Sequence, residues 1–137
     1  MANNKEIREQ MIKKYGNECW IEDEGIRYVP DLSDLYMNSR SEEENKLTYH
    51  HIKPVSKGGE TTEENGAILR NCNHQWLESL SKEEREDINW RLKEYKAYRD
   101  LLLAGTEYEK YKKNYEEIRK QRKEFRQKNR IEREEER

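Results

Sequence analysis

The stretch from Leu47 to Leu80 constrains the fold of this chain more than any other. Leu47 to Ile52 is a short run rich in Thr, Tyr, Leu and Ile, and Pro54 and Gly58-Gly59 break it. A second short apolar run, Ala67-Ile68-Leu69, follows, and Asn71 or Asn73 is placed to start a helix that continues to about Leu80. β-prone runs bounded by Pro and Gly are strand signals. The expectation is a small antiparallel hairpin leading directly into a helix. All three histidines of the chain, His50, His51 and His74, lie in this stretch. Imidazole is both the commonest transition-metal ligand and the side chain best matched to proton transfer near neutral pH.

The rest of the chain reads as helix. Residues 3–15 form a short helix ended by Gly16, with Ile7, Met11 and Ile12 as its apolar stripe. Residues 17–46 mix short apolar pairs with Pro30 and acidic residues, and their pattern fits either an irregular hairpin or a helix and loop. Ser81-Lys82-Glu83-Glu84 has the capping-box pattern and starts a longer helix to about Leu103, with Ile88, Leu92, Tyr95 and Leu102 on its apolar face. Gly105 ends it. Thr106-Glu107-Tyr108-Glu109 is another capping box, and a last helix is expected to run toward Glu136. The fold class is therefore mainly α with a two-stranded hairpin. The segments are 1–46 (helix and irregular stretch), 47–103 (core with its following helix) and 104–137 (charged helical extension).

Hydrophobic residues make up 31% of the chain and charged residues 42%, so a large core is excluded. Charge is unevenly spread. Residues 1–49 carry seven Lys/Arg against eleven Asp/Glu, whereas residues 110–130 carry ten Lys/Arg against three Glu. The second segment is suited either to phosphate neutralisation or to a solvated helix face. Its apolar stripe lacks clean heptads, which argues against a strong coiled coil, although self-association through this helix stays open. Cys19 and Cys72 form no C-x-x-C pair. No signal peptide or long apolar run is visible, so the expected setting is reduced and cytoplasmic, without a membrane.

Taken together, His50-His51-Ile52-x-Pro54-x-Ser56-x-Gly58-Gly59, then Glu64-Asn65-Gly66-Ala67-Ile68-Leu69, then His74, strongly resembles the HNH endonuclease family. The resemblance spans Leu47 to about Leu80 and implies a ββα-metal core that hydrolyses DNA, leaving a 5′-phosphate and a 3′-hydroxyl. It also implies roles. His51 is the general base, and Asn65 braces it by bonding backbone across the loop. His50 and His74 are metal ligands. Glu78, four residues after His74 and so on the same helical face, stands where many relatives carry another His. Two imidazoles favour Mn²⁺, Ni²⁺, Co²⁺ or Zn²⁺, and the family also uses Mg²⁺.

Many relatives frame the motif with two C-x-x-C pairs around a structural zinc. Here the positions before His74 read Arg70-Asn71-Cys72-Asn73, and upstream only Cys19 stands, so that zinc is not expected. Packing by Trp20, Trp76 and Trp90 is the expected replacement. Lys53, Lys57 and Arg70 flank the motif as candidate phosphate contacts, which position a duplex without reading sequence. Two adjacent histidines on a regular strand diverge, so both serve one site only if the strand end bends. The alternatives to an enzyme are a non-catalytic metal- and DNA-binding relic of the family and a helical interaction protein. The resemblance further implies a bacterial or phage-encoded protein.

Overall fold

The computed structural model describes residues 3–26 and 46–129. The apolar pairs at 28–29 and 35–37, and the expected run of the last helix to Glu136, lie outside the described residues. The chain divides into two compact units, Met1–Ser81 and Lys82–Arg137.

The first unit is built on a hairpin between two helices. Helix α1 (Asn4–Tyr15) starts where the Asn3 side chain accepts from the Glu6 N–H at 2.9 Å, and ends at Gly16, whose φ is 108°. It buries Ile7, Met11 and Tyr15; the stripe continues at Tyr15 rather than at Ile12, which is only half-buried. The short helix α2 (Trp20–Asp23) adds Trp20 and Ile21 to the core, with the Trp20 ring edge-on to Tyr15 at 5.5 Å. Strands β1 (Leu47–His51) and β2 (Gly66–Arg70) pair antiparallel from Leu47 opposite Arg70 to His51 opposite Gly66. Helix α3 (Asn71–Ser79) follows β2 without a loop and buries Asn73 and Leu77.

Register explains why β2 shows no polar alternation. Thr48, Leu69, His50 and Ala67 share one face of the hairpin, and Tyr49, Ile68, His51 and Gly66 share the other. Helix α3 covers the first face and α1 the second, so Ala67, Ile68 and Leu69 are all fully buried. Gly66 is required by this closeness: a Cβ there would collide with the Tyr49 ring and the Met11 sulfur. Gly59 is required in the same way by the Lys53 and Pro54 carbonyls, which it meets as the loop closes.

The second unit is an antiparallel helical hairpin. Helix α4 (Lys82–Leu102) begins directly after Ser81, and helix α5 (Tyr108–Lys128) follows a turn in which Gly105 has φ of 56°. Helix α5 begins at Tyr108 with Glu107 as its N-cap, and no side-chain cap bond forms, so the expected Thr106 capping box is not realised. Between α4 and α5, Arg126 binds Asp87 at 2.9 Å and Arg122 binds Glu94 at 2.9 Å, while Trp90 lies against Phe125. Ile88, Leu92 and Ala97 are buried, as is an Lys96–Asp100 pair 2.7 Å apart. Leu102, expected on the buried face, is 61% exposed; the buried residues end at Asp100, two residues before the helix does. Among the described residues no helix is long and apolar enough to cross a membrane.

Candidate active site

His74 leaves the first turn of α3 and meets β1 across the covered face of the hairpin. Its Nδ1 lies 2.9 Å from Thr48 Oγ1. The Thr48 hydroxyl donates to the Leu69 carbonyl at 2.8 Å. A hydroxyl has one proton to give. With that proton on the carbonyl, Thr48 can only accept from His74. The imidazole therefore carries its proton on Nδ1 and presents a lone pair at Nε2. This Nε2 faces His50 Nδ1 at 3.3 Å and Glu78 Oε1 at 3.4 Å. The two rings stand edge to face, 5.1 Å apart, and His50 is buried. Burial pushes the His74 pKa below its ordinary 6.5; nearby Glu78 raises it and the charge of His51 lowers it further.

The arrangement meets part of what a metal ion asks. Two imidazole nitrogens on one tetrahedral ion, each about 2.0–2.1 Å from it, sit roughly 3.3–3.4 Å apart. The His50–His74 spacing fits that value. An outer hydrogen bond that fixes the tautomer, as Thr48 does, is the usual support of a ligating histidine. The third donor is not in place. Glu78 is 65% exposed, and among the described residues no three His, Cys, Asp or Glu side chains gather into a group able to hold an ion.

His51 lies on the opposite face. The ladder stays regular through the His51–Gly66 pair, so the expected bend of the strand end is not found and the two neighbouring histidines leave the strand on opposite faces. A shared site then rests on their place at the strand end, where the charge of His51 still reaches His74. His51 Nε2 is 2.9 Å from Thr61 Oγ1, whose hydroxyl donates to Asn4 Oδ1 at 3.3 Å. By the same one-proton argument Nε2 carries the proton and Nδ1 the lone pair. The ring stands edge-on to Tyr49 at 4.8 Å, and Tyr49 is itself held by Thr62, donating to its carbonyl at 2.7 Å. Partial burial lowers the His51 pKa from 6.5.

Asn65 closes the loop that follows His51. Its Oδ1 accepts from the Lys53 N–H at 2.7 Å, and its Nδ2 donates to the carbonyls of Lys53 and Glu60 at 3.0 and 2.8 Å. One side chain thus ties the first and last parts of the Pro54–Gly59 loop together. Lys53 and Lys57 are exposed on this loop. Arg70 is engaged elsewhere, with Glu22 at 3.3 Å. Of the three tryptophans, Trp20 is in the core of the first unit, Trp76 is half-buried, and Trp90 packs within the helical hairpin.

Sequence reasoning missed Thr48, Thr61 and Asn4. The signal for Thr48 was present, since strand alternation places it on the His50 face. Thr61 and Asn4 come from a loop and a distant helix, and no spacing rule links them to His51.

A hairpin runs straight into a helix here, with imidazoles at the strand end and in the first helical turn, which makes a ββα unit. The HNH endonuclease family model matches residues 36–75, a little under a third of the chain. That match takes in both strands, the Gly-Gly loop and the first turn of α3, so this segment is similar to the HNH endonuclease family. Comparison with curated proteins and with solved structures gives no match.

Proposed function

We propose that the first unit is the catalytic part of a metal-dependent endonuclease that hydrolyses DNA phosphodiester bonds. The observation that carries this reading is the His50–His74 nitrogen pair, with the His74 tautomer set by Thr48, on an HNH-like segment that also carries His51. His50 and His74 would hold the ion, with Glu78 the carboxylate beside them. A divalent ion supplies charge neutralisation for the phosphate and for the departing 3′ oxygen. His51 takes a proton from water at Nδ1, its Nε2–H remaining on Thr61. The water oxygen bonds to phosphorus as the P–O3′ bond breaks, and the 3′ oxygen takes a proton from solvent. Asn65 keeps the loop after His51 in register, acting as a positioning residue. Lys53 and Lys57 are placed to meet backbone phosphates. Arg70 is bound by Glu22, which argues for a structural task before a DNA contact.

A second reading, a binding module without catalysis, draws support from the lack of a third donor among the described residues. Plasmid nicking with Mn²⁺, Ni²⁺, Co²⁺, Zn²⁺ or Mg²⁺ separates the two. Nicking that His51→Ala abolishes is expected. Absence of nicking with every metal sinks the enzyme reading and leaves the module.

A further inference from the structure

Two pairs of residues in the first unit share the spacing of a zinc-binding cysteine framework, but three of the four are not cysteine. Cys19-x-x-Glu22 opens α2, and Arg70-x-x-Asn73 opens α3. In each pair the first residue is the helix N-cap and the second is the third residue of the helix. Two C-x-x-C pairs are a common way of holding a structural zinc. The four side chains here also meet. Asn73 Nδ2 donates to Cys19 Sγ at 3.3 Å and to Glu22 Oε2 at 3.1 Å, and Arg70 Nη1 donates to Glu22 Oε1 at 3.3 Å. Cys19 and Asn73 are buried, and Glu22 and Arg70 are largely covered.

This donor set does not suit zinc. An arginine cannot ligate, an amide nitrogen is a donor of protons rather than of electrons, and a single thiol is left. We infer that Cys19, Glu22, Arg70 and Asn73 form a metal-free cross-link at the corners of a four-cysteine zinc site, and that this cross-link positions His74. The Glu22 carboxylate, itself one corner, does the joining that an ion would do. Its two oxygens accept from both members of the second pair, as an ion would bind both. The charge-assisted bond to Arg70 is the stronger kind, and the geometry ties α2 to the β2–α3 junction. His74 follows Asn73 directly, so the cross-link fixes the residue next to it. Arg70 and Asn73 are thus positioning residues, not DNA contacts. Only the consequence for His74 rests on the proposed function; the cross-link itself is independent of it.

The test uses the full-length chain with Glu22→Cys, Arg70→Cys and Asn73→Cys combined, leaving native Cys19 as the fourth thiol. Under reducing conditions, Co²⁺ titration of this variant is expected to show one ion per chain beyond the native stoichiometry, with thiolate-to-cobalt charge-transfer absorption. Zn²⁺ should raise its melting temperature and a chelator should reverse the rise, while the native chain shows no thiolate absorption. Absence of that absorption in the triple variant overturns the assignment of the four corners. A second measurement needs no metal. Glu22→Ala and Arg70→Ala should each move the His74 Nδ1 proton resonance, and the double variant should move it no further than either alone. Additive movement, or none, overturns the positioning role. Loss of nicking leaves both readouts intact, so failure of the nuclease reading is told apart from failure of this one.

Discussion

The two compact units use buried and half-buried polar side chains for different ends. In the first, Thr48, His50, His74 and Asn73 are set in an apolar core of Met11, Trp20, Ile21, Ile68, Leu69 and Leu77, and their hydrogen bonds aim ring nitrogens at one another. In the second, Asp87, Glu94, Arg122 and Arg126 bind across two helices and join a small core of Ile88, Leu92, Ala97 and Ile118. The lesson is that burial of a charged or polar group does not by itself mark a site. In the helical hairpin it holds the structure together. At the ββα corner it fixes tautomers, and tautomers decide which atom can ligate or take a proton.

That contrast predicts a double dissociation: polar changes in the first unit should strike chemistry, and those in the second should strike stability. The largest effect is expected from His51→Ala. Losing a general base costs on the order of 10²–10⁴-fold in rate, so single-turnover nicking should fall by that much while the melting temperature barely moves. Next comes Thr48→Val, which keeps the strand and removes the bond that sets the His74 tautomer. Support of this kind is worth about 10–100-fold in metal affinity, measurable by calorimetric titration with Mn²⁺ or Zn²⁺. Unchanged affinity would show that Thr48 does not set the His74 tautomer.

On the other side, Arg126→Met leaves the Asp87 carboxylate without its cross-helix guanidinium. A loss of about 1–3 kcal/mol in chemical unfolding is expected, with nicking at a temperature well below unfolding left as in the native chain. A nicking defect in that variant would blur the comparison.

The smallest effect is on pH. Both His51 and His74 have pKa values lowered below 6.5. As pH falls through 6.5 the unfolded chain binds protons that the folded chain resists, so unfolding is favoured. The contribution of these two groups therefore declines from about pH 6.5 until the folded-state values are reached, and it is flat above neutrality. Unfolding midpoints across this range check the sign. The same lowering keeps His51 neutral to lower pH, so the acid limb of a nicking profile should fall below pH 6.5.

Much of the site was legible in the sequence because its parts are local. His50 and His51 sit on a run that could only be a strand, Gly58-Gly59 and Pro54 mark a loop, and His74 lies just inside a helix start. Asn65 was expected to bond backbone across the loop, and it does so at Lys53 and Glu60. What was not legible depends on tertiary approach. Asn4 reaches Thr61 from α1, and Glu22 reaches Arg70 and Asn73 from α2, across separations that no periodicity encodes. Arg70 read as a phosphate contact because its charge was visible and its partner was not. In the helical unit, Ile88 and Leu92 follow from helical steps, but Leu102 does not. Periodicity alone extends a stripe to the end of a helix, whereas the buried residues of α4 end at Asp100.

The central claim is that His50 and His74 hold an ion while His51 does the proton transfer. The most direct measurement titrates Mn²⁺ into the native chain, His51→Ala and His74→Ala, and follows plasmid nicking in the same samples. The expected result is native-like affinity without nicking for His51→Ala, and loss of both affinity and nicking for His74→Ala. Equal affinity in all three, or nicking that survives His51→Ala, would contradict the account.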